Sequence, residues 1–134
     1  MGKNTNIRTG RHCIYSMHVH LVFLSIFKEK IFTPEALIIL KEIFIHVLKQ
    51  FEAHLEELNG QNDHVHLLIS YPPKTTVTKM VNSLKGVSSR RLRKKLPDLE
   101  KYYLNNSLWS PSYFVSTCGE APIEIIKQYI ENPA

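Results

Sequence analysis

The most informative stretch of the chain lies near its middle and reads Asp63-His64-Val65-His66-Leu67-Leu68-Ile69-Ser70. A continuous apolar run of this length, ended by Tyr71-Pro72-Pro73, is typical of a buried strand. Because alternate side chains of a strand point the same way, His64 and His66 should emerge on one face, with Val65 in the opposite layer. Two imidazoles placed in this way are close enough to chelate one divalent cation.

Regular elements are predicted upstream of this strand. Residues 13–27 are rich in Val, Ile, Tyr and Phe and predict a second strand, which carries the pair His18 and His20. Thr33-Pro34-Glu35 indicates a helix start, and apolar residues then recur at helical spacing to about Phe51. Residues 53–58 are ambiguous between a last helical turn and a strand, and residues 59–60 (Asn-Gly) indicate a turn.

Downstream, the pattern predicts a helix, a strand and a final helix. The first helix should begin near Thr75 or Thr76, run through Leu92 and be closed by Pro97. Residues 109–116 predict a strand, and residues 123–132 a last helix opened by Pro122. The order of elements predicts an α+β fold in which helices pack on a largely antiparallel sheet. We expect one domain over residues 1–134, with a polar tail at residues 1–10.

Positive charge is concentrated in one segment of the chain. The whole sequence has 17 Lys and Arg against 12 Asp and Glu, a net charge of +5. Residues 74–95 hold eight of the basic residues and no acid, so that the remainder, nine basic against twelve acidic, has a net charge of −3. This asymmetry is expected of a protein that binds a phosphate backbone. A basic run alone is equally consistent with a solvated helix face.

Composition excludes several classes of protein. The two cysteines, Cys13 and Cys118, lie too far apart for a CxxC zinc knuckle and are too few for a disulfide framework. The N-terminal residues lack the apolar core of a signal peptide, and residues 13–27 are too short to span a membrane. We therefore expect a soluble, cytoplasmic protein.

The residues alone leave the role of the main candidates open. The pair His64 and His66 could be two ordinary sheet histidines, and Trp109 is expected to be a core anchor. Tyr129, on the last predicted helix, could be a tyrosine at the edge of the core or a nucleophile for a phosphodiester. Five other tyrosines compete with it.

Four blocks of the sequence, taken in order, resemble a known family. They are residues 63–69, 81–93, 108–115 and 129–132, and the similarity spans nearly the whole chain. The first block looks like the metal-binding strand (His, hydrophobe, His) of the small single-tyrosine "HUH" transposases of IS200/IS605-like insertion sequences. The resemblance implies a ferredoxin-like or RRM-like antiparallel sheet.

The resemblance also implies an activity. Members act as homodimers on single-stranded DNA that carries hairpins, with Mg²⁺ or Mn²⁺ as cofactor. His64 and His66 match the metal ligands, and Tyr129 matches the nucleophile, which serves the partner's metal site. The tyrosine would displace a 3′-hydroxyl and form a 5′-phosphotyrosine link, which a free 3′-hydroxyl later attacks to rejoin strands. The predicted DNA-binding residues of the basic helix are Lys79, Lys85, Ser88, Arg90, Arg91, Arg93 and Lys94.

One position departs from the family pattern. Members often carry a metal-binding Gln four residues after the tyrosine, where this chain has Pro133. Gln128 or Asn132 could supply the third ligand, the metal could be held weakly, or the chain could be shortened. Two alternatives follow: a domesticated protein that binds hairpin DNA or RNA without cleaving it, and a zinc protein that uses His18, His20, His64 and His66 together.

Overall fold

The computed structural model describes residues 8–9, 14–15 and 17–117. Within these ranges the elements follow one another as β1 (Arg8–Thr9), β2 (Ile14–Tyr15), β3 (Met17–Ser25), α1 (Pro34–Lys49), β4 (His54–Gln61), β5 (His64–Tyr71), α2 (Val77–Lys95), a 3₁₀ helix (Pro97–Tyr102) and β6 (Trp109–Thr117). The helix predicted at residues 123–132 lies outside the described residues.

The main sheet has four antiparallel strands. Its order is β4-β5-β3-β6, so the histidine strand β5 is internal, and β1 and β2 form a separate two-stranded sheet. The predicted α+β fold, an antiparallel sheet flanked by helices, is confirmed.

Both long helices begin at the threonines that the sequence indicates. Thr33 caps α1 by accepting a hydrogen bond from the backbone N–H of Ala36, and Pro34 takes the first helical position, where its missing N–H is harmless. Thr76 precedes α2, and Pro97 follows its end at Lys95. Each helix buries an apolar stripe recurring every three or four residues. The stripes are Ala36, Leu40, Phe44 and Val47 in α1, and Met80, Val81, Leu84 and Leu92 in α2, where the buried Ser88 takes the position between the last two.

The helices cover one face of the sheet. Val19, Leu21 and Phe23 of β3 and Val65 and Leu67 of β5 are fully buried in the same hydrophobic cluster as the helix stripes. The alternate residues of these strands, among them the histidines, therefore point to the other face. This confirms the predicted opposition of Val65 to its neighbouring histidines.

The segment after α1 resolves one ambiguity of the sequence and corrects one prediction. The helix ends at Lys49, just before the predicted end near Phe51, and of the ambiguous residues 53–58 all but the first belong to strand β4. Residues 59–60 do not form the predicted turn: they lie inside β4, and the turn is made by residues 62–63, where Asn62 has φ 47°. Gly60 is needed for close packing, because a Cβ there would lie 2.5 Å from Leu37 Cδ2 of α1. Across the described residues, no helix is long and apolar enough to cross a membrane.

Candidate metal centre and nucleic-acid interface

His64 and His66 lie side by side on the face of the sheet that α1 and α2 leave uncovered. Their ring centroids are 5.0 Å apart. Two imidazoles that bind one ion through metal–nitrogen bonds of about 2.1 Å, at an angle near 90–100°, have centroids roughly 5 Å apart. The spacing therefore suits a shared divalent cation.

Asp63 orients the first of these histidines. Its Oδ1 accepts a hydrogen bond from His64 Nδ1 at 3.0 Å, and both side chains are about a quarter exposed. In the neutral ring, this contact places the proton of His64 on Nδ1 and leaves the lone pair on Nε2. Carboxylates hold metal-binding histidines in this manner, and the sequence motif gave no sign of this role for Asp63.

His20 orients the second histidine. Its Nε2 lies 3.3 Å from His66 Nδ1, and the two rings are stacked with an interplanar angle of 15°. When His66 Nδ1 donates this hydrogen bond, His66 Nε2 carries the lone pair that a metal requires. In the sequence, the pair His18 and His20 enters only as part of the four-histidine zinc alternative, and it does not predict the contact between His20 and His66.

Burial keeps His66 neutral. The residue is 6% exposed, and burial, followed by the neighbouring charges of His64 and His20, lowers the pKa of His66 to about 4. Burial also lowers the pKa of His20. A neutral imidazole is the form that binds metals, so the ring is ready to bind at physiological pH.

The side chains present fit a metal ion. His66 Nε2 is fully buried and makes no hydrogen bond to any described residue. A buried polar atom without a partner is uncommon and indicates a ligand, ion or water at that position. With Nε2 of both histidines available, the pair could hold a divalent cation.

The four-histidine zinc site is wrong. Within the described part of the chain, no three residues among His, Cys, Asp and Glu are grouped so that they could hold a metal ion. His20 is instead bonded to His66 through a ring nitrogen, which places it behind the candidate ligand.

Helix α2 presents the predicted basic surface. Lys79, Arg90, Arg91 and Lys94 are exposed on the side away from the sheet. Beside them, a groove of about 450 Å³ runs between α2 and α1, and it is lined by Glu42, Ile43, His46, Arg91, Lys94 and Lys95. The surface has the concentrated positive charge that a phosphate backbone requires.

Ser88 was wrongly predicted to contact DNA. It is fully buried, and its hydroxyl accepts a hydrogen bond of 2.9 Å from Trp109 Nε1. The adjacent Ser89 accepts the backbone N–H of Leu108 at 2.9 Å. The serine pair therefore fastens β6 to α2, and Trp109, 2% exposed, is the core anchor that the sequence predicts.

Two other predicted DNA contacts are already engaged within the fold. Lys85 Nζ donates to the carbonyls of Ser110 (2.6 Å) and Pro111 (3.3 Å), and burial lowers its pKa. Arg93 stacks on the Tyr103 ring at 5.2 Å and donates to Asn106 Oδ1. Both cations fix α2 to the segment that follows it, so Lys85 in particular faces β6 and not the exposed basic surface.

The remaining predicted site residues lie outside the described residues. These are the nucleophile candidate Tyr129 and the alternative ligands Gln128 and Asn132, together with Pro133. Their roles stay predictions.

The fold and the histidine pair define a class of protein. The sequence profile described as "Transposase IS200 like" matches residues 13–133, and the chain belongs to this family. It is therefore a transposase of the kind that moves insertion sequences, and it binds DNA and acts in DNA transposition.

Particular relatives agree with this assignment. The ISDra2 transposase TnpA of Deinococcus radiodurans is 30% identical over 126 residues, 94% of this chain and 90% of the relative. The IS200 transposase of Salmonella typhimurium is 28% identical over 121 residues, 90% and 79% of the two chains. A crystal structure from D. radiodurans, described as that of a transposase, has 33% identity and a TM-score of 0.74 over 93% of this chain and 96% of that one. A REP-associated tyrosine transposase bound to a REP hairpin shares the fold: TM-score 0.61, 10% identity, and 92% and 68% of the two chains.

Proposed function

We propose that this transposase cleaves and rejoins single-stranded DNA with the help of a divalent metal, Mg²⁺ or Mn²⁺, held by His64 and His66. The observation that carries the proposal is the placement of the two imidazole rings, whose centroids are 5.0 Å apart on one face of the sheet. It is supported by the buried Nε2 of His66, which has no partner among the described residues. When bound, the metal would polarise the phosphate and stabilise the charge that develops on its oxygens. Asp63 and His20 hydrogen-bond the Nδ1 atoms of His64 and His66, which leaves Nε2 of each neutral ring as the atom available to a metal.

The nucleophile in this proposal is Tyr129, which corresponds by resemblance to the family's tyrosine. Its phenolic oxygen gives up its proton and attacks phosphorus, while the bond from phosphorus to the 3′-oxygen breaks. The 3′-oxygen leaves as a hydroxyl after taking a proton, and a 5′-phosphotyrosine remains. Attack by another 3′-hydroxyl reverses these steps and joins two strands without a nucleotide cofactor. We further propose that the chain works as a homodimer in which each tyrosine serves the partner's metal site.

DNA hairpins are the proposed recognition elements. The exposed cations of α2 and its groove with α1 supply the phosphate contacts, and a structural neighbour is described as bound to a REP hairpin. Each neutralised phosphate of a single strand should steepen the salt dependence of affinity by about 0.7 log unit.

The direct test is formation of a covalent adduct. The protein is mixed with Mn²⁺ and single-stranded DNA from the element's ends, and the products are separated under denaturing conditions. Wild type should give a protein–DNA adduct, His64→Ala and Tyr129→Phe should give none, and Tyr113→Phe is the matched tyrosine control. An adduct that survives Tyr129→Phe would disprove the nucleophile. Tight hairpin binding without any adduct would favour the non-catalytic alternative, which the Pro133 substitution motivates.

A further inference from the structure

A second unpartnered polar atom lies next to the candidate metal centre. Asn59 of β4 is paired directly with His66 of β5 in the antiparallel register. Directly paired residues point to the same face, with Cβ atoms about 4.5–5.5 Å apart, so the Asn59 amide emerges beside the His66 ring. The Nδ2 atom of Asn59 is buried and makes no hydrogen bond within the described structure.

Two buried nitrogen atoms on neighbouring strands lack hydrogen-bond partners, and one bound group would explain both. A buried amide or imidazole nitrogen without a partner destabilises the fold, because the water that it loses on burial is not replaced. Asn59 Nδ2 and His66 Nε2 are both in this state, on neighbouring strands and on one face. A bound group between the strands would satisfy both side chains at once.

The chemistry of the amide indicates what that group is. Rotation of an Asn amide by 180° exchanges its nitrogen and oxygen with little change of shape, so either atom can face the buried position. A cation bound beside His66 would favour the orientation in which the amide oxygen of Asn59 faces it. Mg²⁺ and Mn²⁺ prefer oxygen ligands, which two imidazoles do not provide.

We infer that Asn59 supplies its side-chain carbonyl oxygen as the third protein ligand of the metal held by His64 and His66. The inference rests on the proposed metal centre and goes beyond it by naming a ligand in the sheet itself. The site then has two nitrogens from β5 and one oxygen from β4, and its open positions remain for phosphate oxygens of the DNA strand. The absence of a Gln at position 133 is compatible with a complete site, since an amide oxygen reaches the metal from Asn59.

The test is Mn²⁺ affinity of the full chain without DNA, measured by titration calorimetry and by the loss of the free-ion EPR signal. Asn59→Leu should weaken Mn²⁺ binding by about tenfold or more, a loss of the size seen when supporting groups are removed from metal sites. Asn59→Asp should tighten it, because a carboxylate adds charge to the oxygen ligand. Asn82→Ala removes an exposed amide from α2 and should leave the affinity unchanged.

Thermal unfolding of the metal-free variants separates ligation from a structural role. Asn59→Leu should leave the melting temperature unchanged or raise it, because it deletes an unsatisfied buried amide. If both Asn59 variants bind Mn²⁺ like wild type while His66→Ala abolishes binding, the inference is wrong and the two-histidine centre stands. If His66→Ala binds Mn²⁺ as well as wild type does, the proposed centre fails, and the role of Asn59 fails with it.

Discussion

The low pKa of His66 makes the stability of the metal-free protein depend on pH. In the unfolded chain the imidazole titrates at 6.5, whereas in the folded protein its pKa is about 4. Between these values the unfolded state holds a proton that the folded state lacks, so stability is highest above pH 6.5 and falls as the pH drops toward 4. Below pH 4 both states are protonated and this contribution stops changing.

The size of the effect follows from the same two values. Each pH unit between them is worth about 1.4 kcal/mol, so the difference sets an upper limit near 3.5 kcal/mol. Burial is the largest cause, followed by the charges of His64 and His20, and solvent screens the share of His64, whose side chain is about a quarter exposed. We therefore expect about 2 kcal/mol of unfolding free energy to be lost between pH 7 and pH 4 through His66.

The assay compares wild type with His66→Gln in the presence of a chelator. Urea unfolding is followed by the fluorescence of Trp109, the single tryptophan, which is 2% exposed in the native state. The stability of wild type relative to the variant should fall by about 2 kcal/mol on acidification. Val65→Ala, at a neighbouring buried position without a titrating group, should destabilise equally at both pH values. If the difference between wild type and His66→Gln is the same at pH 7 and pH 4, the reasoning about a buried neutral imidazole is refuted.

Three further substitutions test the fold and the DNA surface. Ser88→Ala leaves Trp109 Nε1 without its acceptor and should lower the unfolding free energy by about 1–3 kcal/mol in urea titrations. Gly60→Ala places a Cβ 2.5 Å from Leu37 Cδ2 and should destabilise by about 1–3 kcal/mol, measured in the same way, and Leu37→Ala in the same chain should recover part of this loss. Arg90→Ala should weaken hairpin-DNA binding and reduce its salt slope by about 0.7 in fluorescence anisotropy titrations.

The first two of these predictions each have a result that would contradict them, and the third has a matched control. A Ser88→Ala variant as stable as wild type would mean that the Trp109 hydrogen bond is replaced. If the loss from Gly60→Ala were the same with and without Leu37→Ala, steric contact with α1 would not be its cause. For the DNA surface, Lys85→Ala is the matched control: because its ammonium binds the carbonyls of Ser110 and Pro111, it should lower stability more than it changes the salt slope.

The histidine face and the helices were predictable because their signals are local. Strand periodicity places His64 and His66 together whatever the rest of the chain does. Thr33 caps α1 through a hydrogen bond within one turn, and Thr76 precedes α2 without a side-chain cap. The inward orientation of Ser88 could also have been predicted, because Ser88 lies four residues from both Leu84 and Leu92 of the buried stripe. Its hydrogen bond to Trp109 was not predictable, because Trp109 lies 21 residues away in the chain.

The geometry of strand β4 explains why Asn59 could not be identified as a candidate ligand from the sequence. The pairing of β4 with β5 shifts by one residue between Leu55 and Glu57. This extra residue moves every side chain that follows it to the opposite face of the sheet. Leu55 and Leu58 consequently face the helices together, opposite Ile69 and Leu67, and this spacing of three imitates a helical turn. Without the bulge, Asn59 would share the face of Leu55 and point into the core.

The proposed metal site and the proposed DNA-binding surface lie on opposite sides of the sheet. His64 and His66 lie on the face without α1 and α2, whereas the exposed cations of α2 point away from the sheet on the other side. At physiological ionic strength, charges farther apart than about 8 Å are largely screened when they are exposed. Because the sheet and a helix layer separate the two surfaces, the basic helix contributes little to metal affinity. DNA affinity and metal affinity should therefore respond to different substitutions, which allows each to be disrupted while the other serves as evidence of a native fold.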